Sequence, residues 1–408
     1  MDSLDATRIF AFDNPRRIVF GIGATRSIGQ EAKRLGKTAL IVTDEQVEKA
    51  GLVAQVAEYL EDDNLSSGTF RKDARREPSI QSMNEAAEFI RPQRHHYDVI
   101  IGIGGGSVLD TSKMIAMAAT NSGQMDGYMD LESPVEIQKN RLPLILIPTT
   151  SGTGSEATPF AVAIDDKTGL KSWAYSPKLL SDVSIVDPVF TLSCPPNVTA
   201  HSGMDALSQS IESVLAGGFN PLSEMIGLKA IRLISENLGR SYHHGESLEA
   251  RGGMSLGALM GGWVLGFPWS GGGILGHCVA ETIGPKLAMP HGLACALALP
   301  YMMEFNLPAA RGKLALVASA MGEDTRDLSP NEAAALAIRA VLELMKDIDL
   351  PMSLKEVTSK IDAPALSEIM FNRRRFYATN PRKLTQENCL NVLENIWEGR
   401  VSVLQHGT

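Results

Sequence analysis

Cysteine and histidine are both scarce in this 408-residue chain, with four of the first and eight of the second. Cys194, Cys278, Cys295 and Cys389 are widely spaced and form no CxxC pair, which argues against a disulfide framework and against a zinc ribbon. Reduced thiols in a cytoplasmic protein are the simple reading. Basic charge is in deficit too. Lys plus Arg number 38 against 47 Asp plus Glu, a formal net charge of −9, where a nucleic-acid binder shows a basic excess. The acidic sign speaks for solubility and leaves the substrate open, since a local basic pocket can sit within it. The opening stretch MDSLDATRIFAFDNP carries early acids and no apolar core, so it does not read as a signal peptide. Residues 252–280 lack any formally charged side chain, but Pro268 and glycines at 257, 261, 262, 266, 271, 272, 273 and 276 interrupt them. A lipid-spanning helix wants about 20 mostly apolar residues, so this stretch reads as closely packed helices joined by a glycine-rich turn, with no membrane partner. Neither an internal repeat nor a low-complexity tract is present.

What is present is an ordinary globular composition, 44% hydrophobic and 21% charged, in a chain longer than one core usually serves. The first part alternates strands and helices. Arg17–Phe20, Thr38–Thr43, Tyr97–Ile103 and Leu142–Ile147 read as strands, and helical patterns cover Glu45 to about Glu61 and Val108–Ala119. Continuous Val/Ile/Leu runs separated by helices indicate a parallel sheet covered on both faces. From about Leu192 the texture changes to helical patterns at 203–216, 221–238, 248–266, 273–283, 292–305, 308–321, 330–347, 353–361, 363–370 and 385–398. The expected organisation is an α/β dinucleotide-binding domain over 1–190 and an all-α domain over 191–408, the boundary lying near Asp187-Pro188.

The strongest local signal is the strand–turn–helix VIIGIGGGSVLD, residues 99–110. A glycine turn opening a helix presents bare backbone N–H groups and the positive end of the helix dipole, an anion site fit for a pyrophosphate. Gly102-x-Gly104-x-x-Ser107 approximates the dinucleotide fingerprint with Ser in its last place; a tight turn needing positive φ is the competing reading. Gly21-Ile22-Gly23 lacks the third small residue and reads as a turn only. Asp44 ends a strand, where an acid bonds the ribose hydroxyls of NAD and repels the extra phosphate of NADP; an N-cap for the following helix is its alternative. The hydroxyl-rich PTTSGTGSE, 148–156, follows a third strand at the sheet end where ligands sit, unless it is merely a solvated turn.

In the helical half, His277 and Glu281 share one helix face, His291 precedes a new helix, and Asp205 and Gln209 share another face. Asp205, His277 and His291, with Glu281 or Gln209 as a fourth, would suit Fe²⁺ or Zn²⁺; a satisfied polar core cluster is the other reading. Arg373-Arg374-Arg375 and Arg382 are candidate anion contacts, though a surface charge run fits them better. Trp263, Phe267 and Trp269 face either core or substrate, and Phe160 is a candidate pocket wall.

Taken together, the motifs GGGSVLDTSK (104–113), PTTSGTGSEAT (148–158), SIVDP (184–188), GMDAL (203–207), PHG with LPYMMEFN (290–306) and TNPRKLT (379–385) resemble, in order, the iron-containing (group III) alcohol dehydrogenases across nearly the whole chain. The resemblance implies a Rossmann-like domain, a helical domain, and a cleft holding NAD(H) and a divalent metal. It assigns Gly104, Gly105, Gly106, Ser107 and Asp110 to the cofactor turn, Thr149, Thr150 and Ser155 to the nicotinamide side, Lys171 to the outer part of the cofactor, and Asp44 to NAD preference. Asp205, His277 and His291 fall on three of the four family metal positions. Two departures stand out. Gln209 replaces the fourth metal histidine, and Glu281 replaces a further active-site histidine. Either Gln209 binds through its carbonyl oxygen, or Glu281 completes the site, or the metal is lost, as in the related maleylacetate reductases. His201, two turns from Gln209, does not replace it directly.

The implied activity is reversible hydride transfer between NAD(H) and a primary alcohol/aldehyde pair, with a metal polarising the carbonyl and with Glu281 and His277 as catalytic residues. Proton movement through Glu281 would follow if burial raised its pKa. A reductase of an anionic carbonyl, maleylacetate-like or bearing a sulfonate or phosphonate, is the alternative, and a cofactor-binding pseudoenzyme the second. A small-molecule substrate, no nucleic acid, a homodimer or larger assembly, and a cytoplasmic location complete the expectation.

Overall fold

The computed structural model describes residues 11–72, 77–217, 220–267 and 273–404, which fall into two compact units. One unit runs from Asp13 to Cys194; the other starts at Pro195 and includes Phe12.

The first unit carries strands β1 (Arg17–Phe20), β2 (Thr38–Asp44), β3 (Ser66–Lys72), β4 (Val99–Gly104), β5 (Leu144–Pro148), β6 (Phe160–Asp165), β7 (Leu170–Tyr175) and β8 (Val183–Val186). Its helices are α1 (Ile28–Lys33), α2 (Glu45–Lys49), α3 (Leu52–Asp62), α4 (Ile80–Gln93), α5 (Gly106–Ala118) and α6 (Met125–Tyr128). Six strands pair in parallel in the order β1-β8-β5-β4-β2-β3, and β6–β7 form a separate antiparallel hairpin. The apolar runs of the central strands are explained by burial on two faces. Leu40, Val42, Ile100, Leu144 and Leu146 enter one core, while Ala39, Ile41, Val99, Ile101, Ile145 and Ile147 enter the other.

β2 lies between β3 and β4, so the chain reverses its direction of sheet growth there and the C-terminal ends of β2 and β4 stand side by side. Open parallel sheets bind ligands at that kind of point. The helix expected over 45–61 is two helices, because Gly51, at φ 80°, breaks it between α2 and α3. β3, with the sequence SSGTFRK, is a polar edge strand and gives no apolar run to read.

The second unit contains α7 (Pro196–Leu215), α8 (Pro221–His243), α9 (Leu248–Leu265), α10 (Leu275–Lys286), α11 (His291–Ala320), α12 (Pro330–Asp347), α13 (Ala363–Asn372) and α14 (Gln386–Glu398), with no strand among its described residues. The two helices expected over 292–305 and 308–321 are one, kinked where Ala310 leaves helical geometry just after Pro308. The helix expected over 353–361 is a single turn, Leu354–Glu356. Among the described helices only α11 is long and apolar enough to cross a bilayer, and 78% of its most apolar window is buried inside the protein, as a core helix requires. Trp263 and Phe267 pack edge-on at 5.8 Å in a small core with Phe12, Ile226 and Val264, whereas Trp269 lies outside the described residues.

One buried ionic group braces the loop after β5. Lys113 is fully buried, with Nζ donating to the Phe160 carbonyl at 2.5 Å and to Thr158 Oγ1 at 3.0 Å. Burial pushes the nearby Glu156 carboxyl from its ordinary 4.5 up to about 7, against the downward pull of its own backbone N–H and of Lys113. The folded state therefore holds a proton that the unfolded chain releases, and stability present below about pH 4.5 is lost as pH rises towards 7. Glu156→Gln removes this dependence: thermal melts across pH 5 to 8 should show the variant overtaking the parent by as much as ~3 kcal/mol at the alkaline end. A difference that stays constant with pH contradicts the assignment.

Candidate active site

The turn expected to hold a dinucleotide lies where β4 becomes α5. Gly105 takes the N-cap place at φ −74°, ψ 178°, and no side chain caps the helix, whereas Asp44 and Ser79 cap α2 and α4. Uncapped amides at the start of a long helix form an anion site. None of Gly104, Gly105 and Gly106 has positive φ, so left-handed backbone is not what the turn demands. Space is. A β-carbon on Gly104 would stand 2.6 Å from Val108, and one on Gly106 2.6 Å from Thr153. The loop after β5 lies over the turn: Thr149 N donates to the Gly104 carbonyl at 3.0 Å, and Thr150 packs at Gly105.

Other residues expected around the cofactor have partners of their own. Ser107 sits in the first turn of α5, its carbonyl accepting from Thr111 Oγ1 at 2.8 Å. Asp110 accepts from Ser155 Oγ at 2.6 Å and from Val162 N at 3.1 Å, and Lys113 Nζ lies 3.4 Å away, so Asp110 and Ser155 tie α5 to the β5 loop and to β6. Asp44 Oδ1 accepts from the amides of Gln46 and Val47, the N-cap role. Lys171 Nζ lies 3.2 Å from Glu77 Oε1. The Gly21–Gly23 turn is filled from within, since the amides of Gly23 and Thr25 both donate to the Asp187 carboxylate at 3.0 Å.

The metal candidates converge from three helices. Asp205 on α7, His277 on α10, and His291 and Cys295 on α11 each offer a donor atom, all within 4.8 Å of one another. Asp205 Oδ1 stands 3.5 Å from His277 Nε2 and 3.6 Å from His291 Nε2. Cys295 Sγ lies 3.6 Å from Asp205 Oδ1, 4.0 Å from His277 Nε2 and 3.6 Å from His291 Nε2.

Glu212, fully buried two helical turns after Asp205, controls the orientation of His277. Its Oε1 lies 2.6 Å from His277 Nδ1, and its Oε2 accepts from the amides of Ile274 and His277 at 2.6 and 3.1 Å. When the ring is neutral its proton sits on Nδ1 and the Nε2 lone pair is left for a ligand, the arrangement that orients metal-binding imidazoles. Gly276 makes the approach feasible, because a β-carbon there would stand 2.6 Å from Glu212 Oε1. Burial alone would depress the His277 pKa, but Glu212, Cys295 and Asp205 more than reverse it and hold it well above the usual range. The pocket favours positive charge. Burial also pushes the Cys295 thiol up to about 12, so a neutral thiol is the form present without a cation.

Gln209 is buried one turn beyond Asp205, and a β-carbon on Gly261 of α9 would stand 3.2 Å from its Nε2. Glu281, one turn beyond His277, does not stand alone: its Oε2 accepts from Arg373 Nη2 at 2.8 Å, and both side chains are almost buried. Arg373 therefore departs from the surface charge run expected of 373–375, while Arg374 and Arg375 are exposed. Arg382 is also engaged, donating to the Phe305 carbonyl at 3.1 Å and lying 4.4 Å over that ring. Sequence reading passed over Glu212 and Cys295, yet each carries a signal: Glu212 follows Asp205 by seven residues, two helical turns, and Cys295 follows His291 by four, one turn.

A family model described as "Iron-containing alcohol dehydrogenase" matches residues 15–188, and one described as "Fe-containing alcohol dehydrogenase family, C-terminal" matches residues 199–397. The sulfoacetaldehyde reductase of Bilophila wadsworthia (strain 3_1_6) is 33% identical over 387 residues, covering 94% of this chain and 98% of its own. The NAD-dependent methanol dehydrogenase of Bacillus methanolicus is 32% identical over 388 residues, covering 93% and 98%. The solved alcohol dehydrogenase from Oenococcus oeni superposes with a TM-score of 0.89 at 32% identity, over 95% of this chain and all of that one.

Glu212→Gln keeps the volume and removes the charge that fixes His277. Zinc titrated into demetallated protein should bind the variant about 10–100-fold more weakly than the parent, as loss of an outer-shell partner does elsewhere. Gly276→Ala, which displaces the same carboxylate, should behave likewise. Unchanged zinc affinity in both contradicts the role given to Glu212.

Proposed function

The chain belongs to the iron-containing alcohol dehydrogenase family, and on that footing we propose that it interconverts a neutral primary alcohol and its aldehyde, using NAD(H) and a divalent metal. The observation that carries the reading is the buried gathering of Asp205, His277 and His291, with His277 held by Glu212 so that Nε2 faces the other donors.

When bound, NAD(H) donates or accepts the hydride, and a divalent ion polarises the carbonyl oxygen as a Lewis acid. The amides of Gly104–Ser107 and the N-terminus of α5 hold the pyrophosphate, where no side-chain cap competes. Thr149 and Thr150, laid over that turn, line the nicotinamide side. Asp44, level with the turn at the end of β2, keeps Oδ2 for the ribose hydroxyls and disfavours an added phosphate. Asp110 and Ser155 act through each other as a brace for the turn, and Lys171 acts within its pair with Glu77.

Asp205, His277 and His291 supply metal donors, with Gln209 as a neutral neighbour of Asp205. His277 is a ligand rather than a proton carrier, because Nδ1 is committed to Glu212. Glu281 is a positioning residue that offsets the buried charge of Arg373. Arg373 is charge-paired with Glu281, which removes one candidate anion contact and favours neutral substrates over the anionic alternative. Reduced cysteines accord with a cytoplasmic location. Self-association is proposed as well, since β1 ends the sheet and Phe20 and Ile22 beside it are exposed.

Assays of NADH-dependent reduction across neutral and anionic aldehydes should favour the neutral series in kcat/KM, with NADPH the poorer donor. Asp205→Ala and His277→Ala, shown folded by circular dichroism, should each lose at least ~100-fold in kcat, the scale of removing transition-state charge stabilisation. Preference for anionic aldehydes overturns the substrate class, and full activity after exhaustive chelation overturns the metal.

A further inference from the structure

We propose that Cys295 is the fourth protein ligand of the metal, replacing the nitrogen donor absent at Gln209, and that the resulting one-carboxylate, two-imidazole, one-thiolate set selects zinc over iron. The inference rests on the metal reading above and deepens it.

Geometry is the first support. A tetrahedral ion with bonds of about 2.0–2.1 Å to N and O and about 2.3 Å to S separates its donors by roughly 3.3–3.6 Å. Five of the six separations among Asp205 Oδ1, His277 Nε2, His291 Nε2 and Cys295 Sγ run from 3.5 to 4.0 Å, and all the donor atoms lie within 4.8 Å of one another. The thiol thus completes a cage already at nearly the size an ion needs. Placement is the second support. Cys295 lies one helical turn after His291 on α11, so a single helix delivers both donors to the same point. Cys278, also buried, behaves differently: its Sγ points to the Met370 carbonyl at 3.6 Å.

Donor strength is the third. A cysteine thiolate is an established zinc ligand and a stronger donor than the neutral side-chain amide of Gln209. The thiol proton leaves to solvent as the metal–sulfur bond forms, and nothing is oxidised or reduced. Soft thiolate shifts preference towards zinc, whereas the harder nitrogen and oxygen sets also serve iron. Four protein donors do not bar catalysis, because zinc expands its coordination to five.

The test has two arms. Zinc-edge X-ray absorption of the unmodified protein needs no variant, and it should show one sulfur at about 2.3 Å beside nitrogen and oxygen scatterers. Cobalt titrated into demetallated protein should give a near-ultraviolet thiolate-to-cobalt charge-transfer band. Cys295→Ser should abolish that band and weaken cobalt binding at least ~100-fold, more than outer-shell losses of about 10–100-fold, while Gln209→Ala keeps the band. A first shell of nitrogen and oxygen alone, or cobalt bound equally by Cys295→Ser, overturns the thiolate ligand and leaves the metal site standing. Failure of the unmodified protein to bind either ion above the level of His277→Ala overturns the metal reading itself.

Discussion

The contact between the Glu212 carboxylate and His277 is the interaction on which the rest of the centre depends. A carboxylate with no solvent exposure is costly to bury unless its lone pairs are used, and Glu212 uses them on two amides and one imidazole N–H. The amides belong to the start of α10, whose own N-cap residue, Ile274, offers no side-chain cap. One side chain of α7 therefore caps α10, meets the positive end of its dipole, and sets the tautomer of the histidine in its first turn. Tertiary packing supplies here what local sequence usually supplies, and the helix cannot rotate about its axis without giving up all three bonds.

The two units solve opposite electrostatic problems. In the α/β unit, an uncapped helix start and a turn too crowded for side chains present backbone N–H groups to an anion. The helical unit instead crowds Asp205 and Glu212 about two imidazoles and a thiol, a surrounding that favours a cation. Each arrangement is assembled from residues of a single unit.

Much of this was legible in the sequence for a physical reason. Strands buried on both faces must be continuous apolar runs, and a turn too tight for β-carbons must be glycine, so β2, β4, β5 and the start of α5 could be placed. Asp205, His277 and His291 stood out because histidine is rare in the chain. What stayed hidden was set at long range. Glu212 and His277 are 65 residues apart, as are many unrelated acid–histidine pairs in any sequence. Arg373 meets Glu281 across 92 residues, and from its neighbours it reads as part of a solvated charge run. Cys295 has no CxxC partner, and its one-turn spacing from His291 is a weak signal in a sequence without the helix boundaries. Polar β3 and the break at Gly51 escaped because edge strands and single left-handed residues leave no hydrophobic period to follow.

The central claim is that this buried cluster exists to hold a divalent ion. Anomalous diffraction from crystals of the protein grown without added chelator tests it most directly. One strong peak is expected, centred among Asp205, His277, His291 and Cys295, about 2.0–2.3 Å from each donor atom. A cluster without anomalous density in protein that turns over aldehyde, or a peak bound elsewhere, would contradict it.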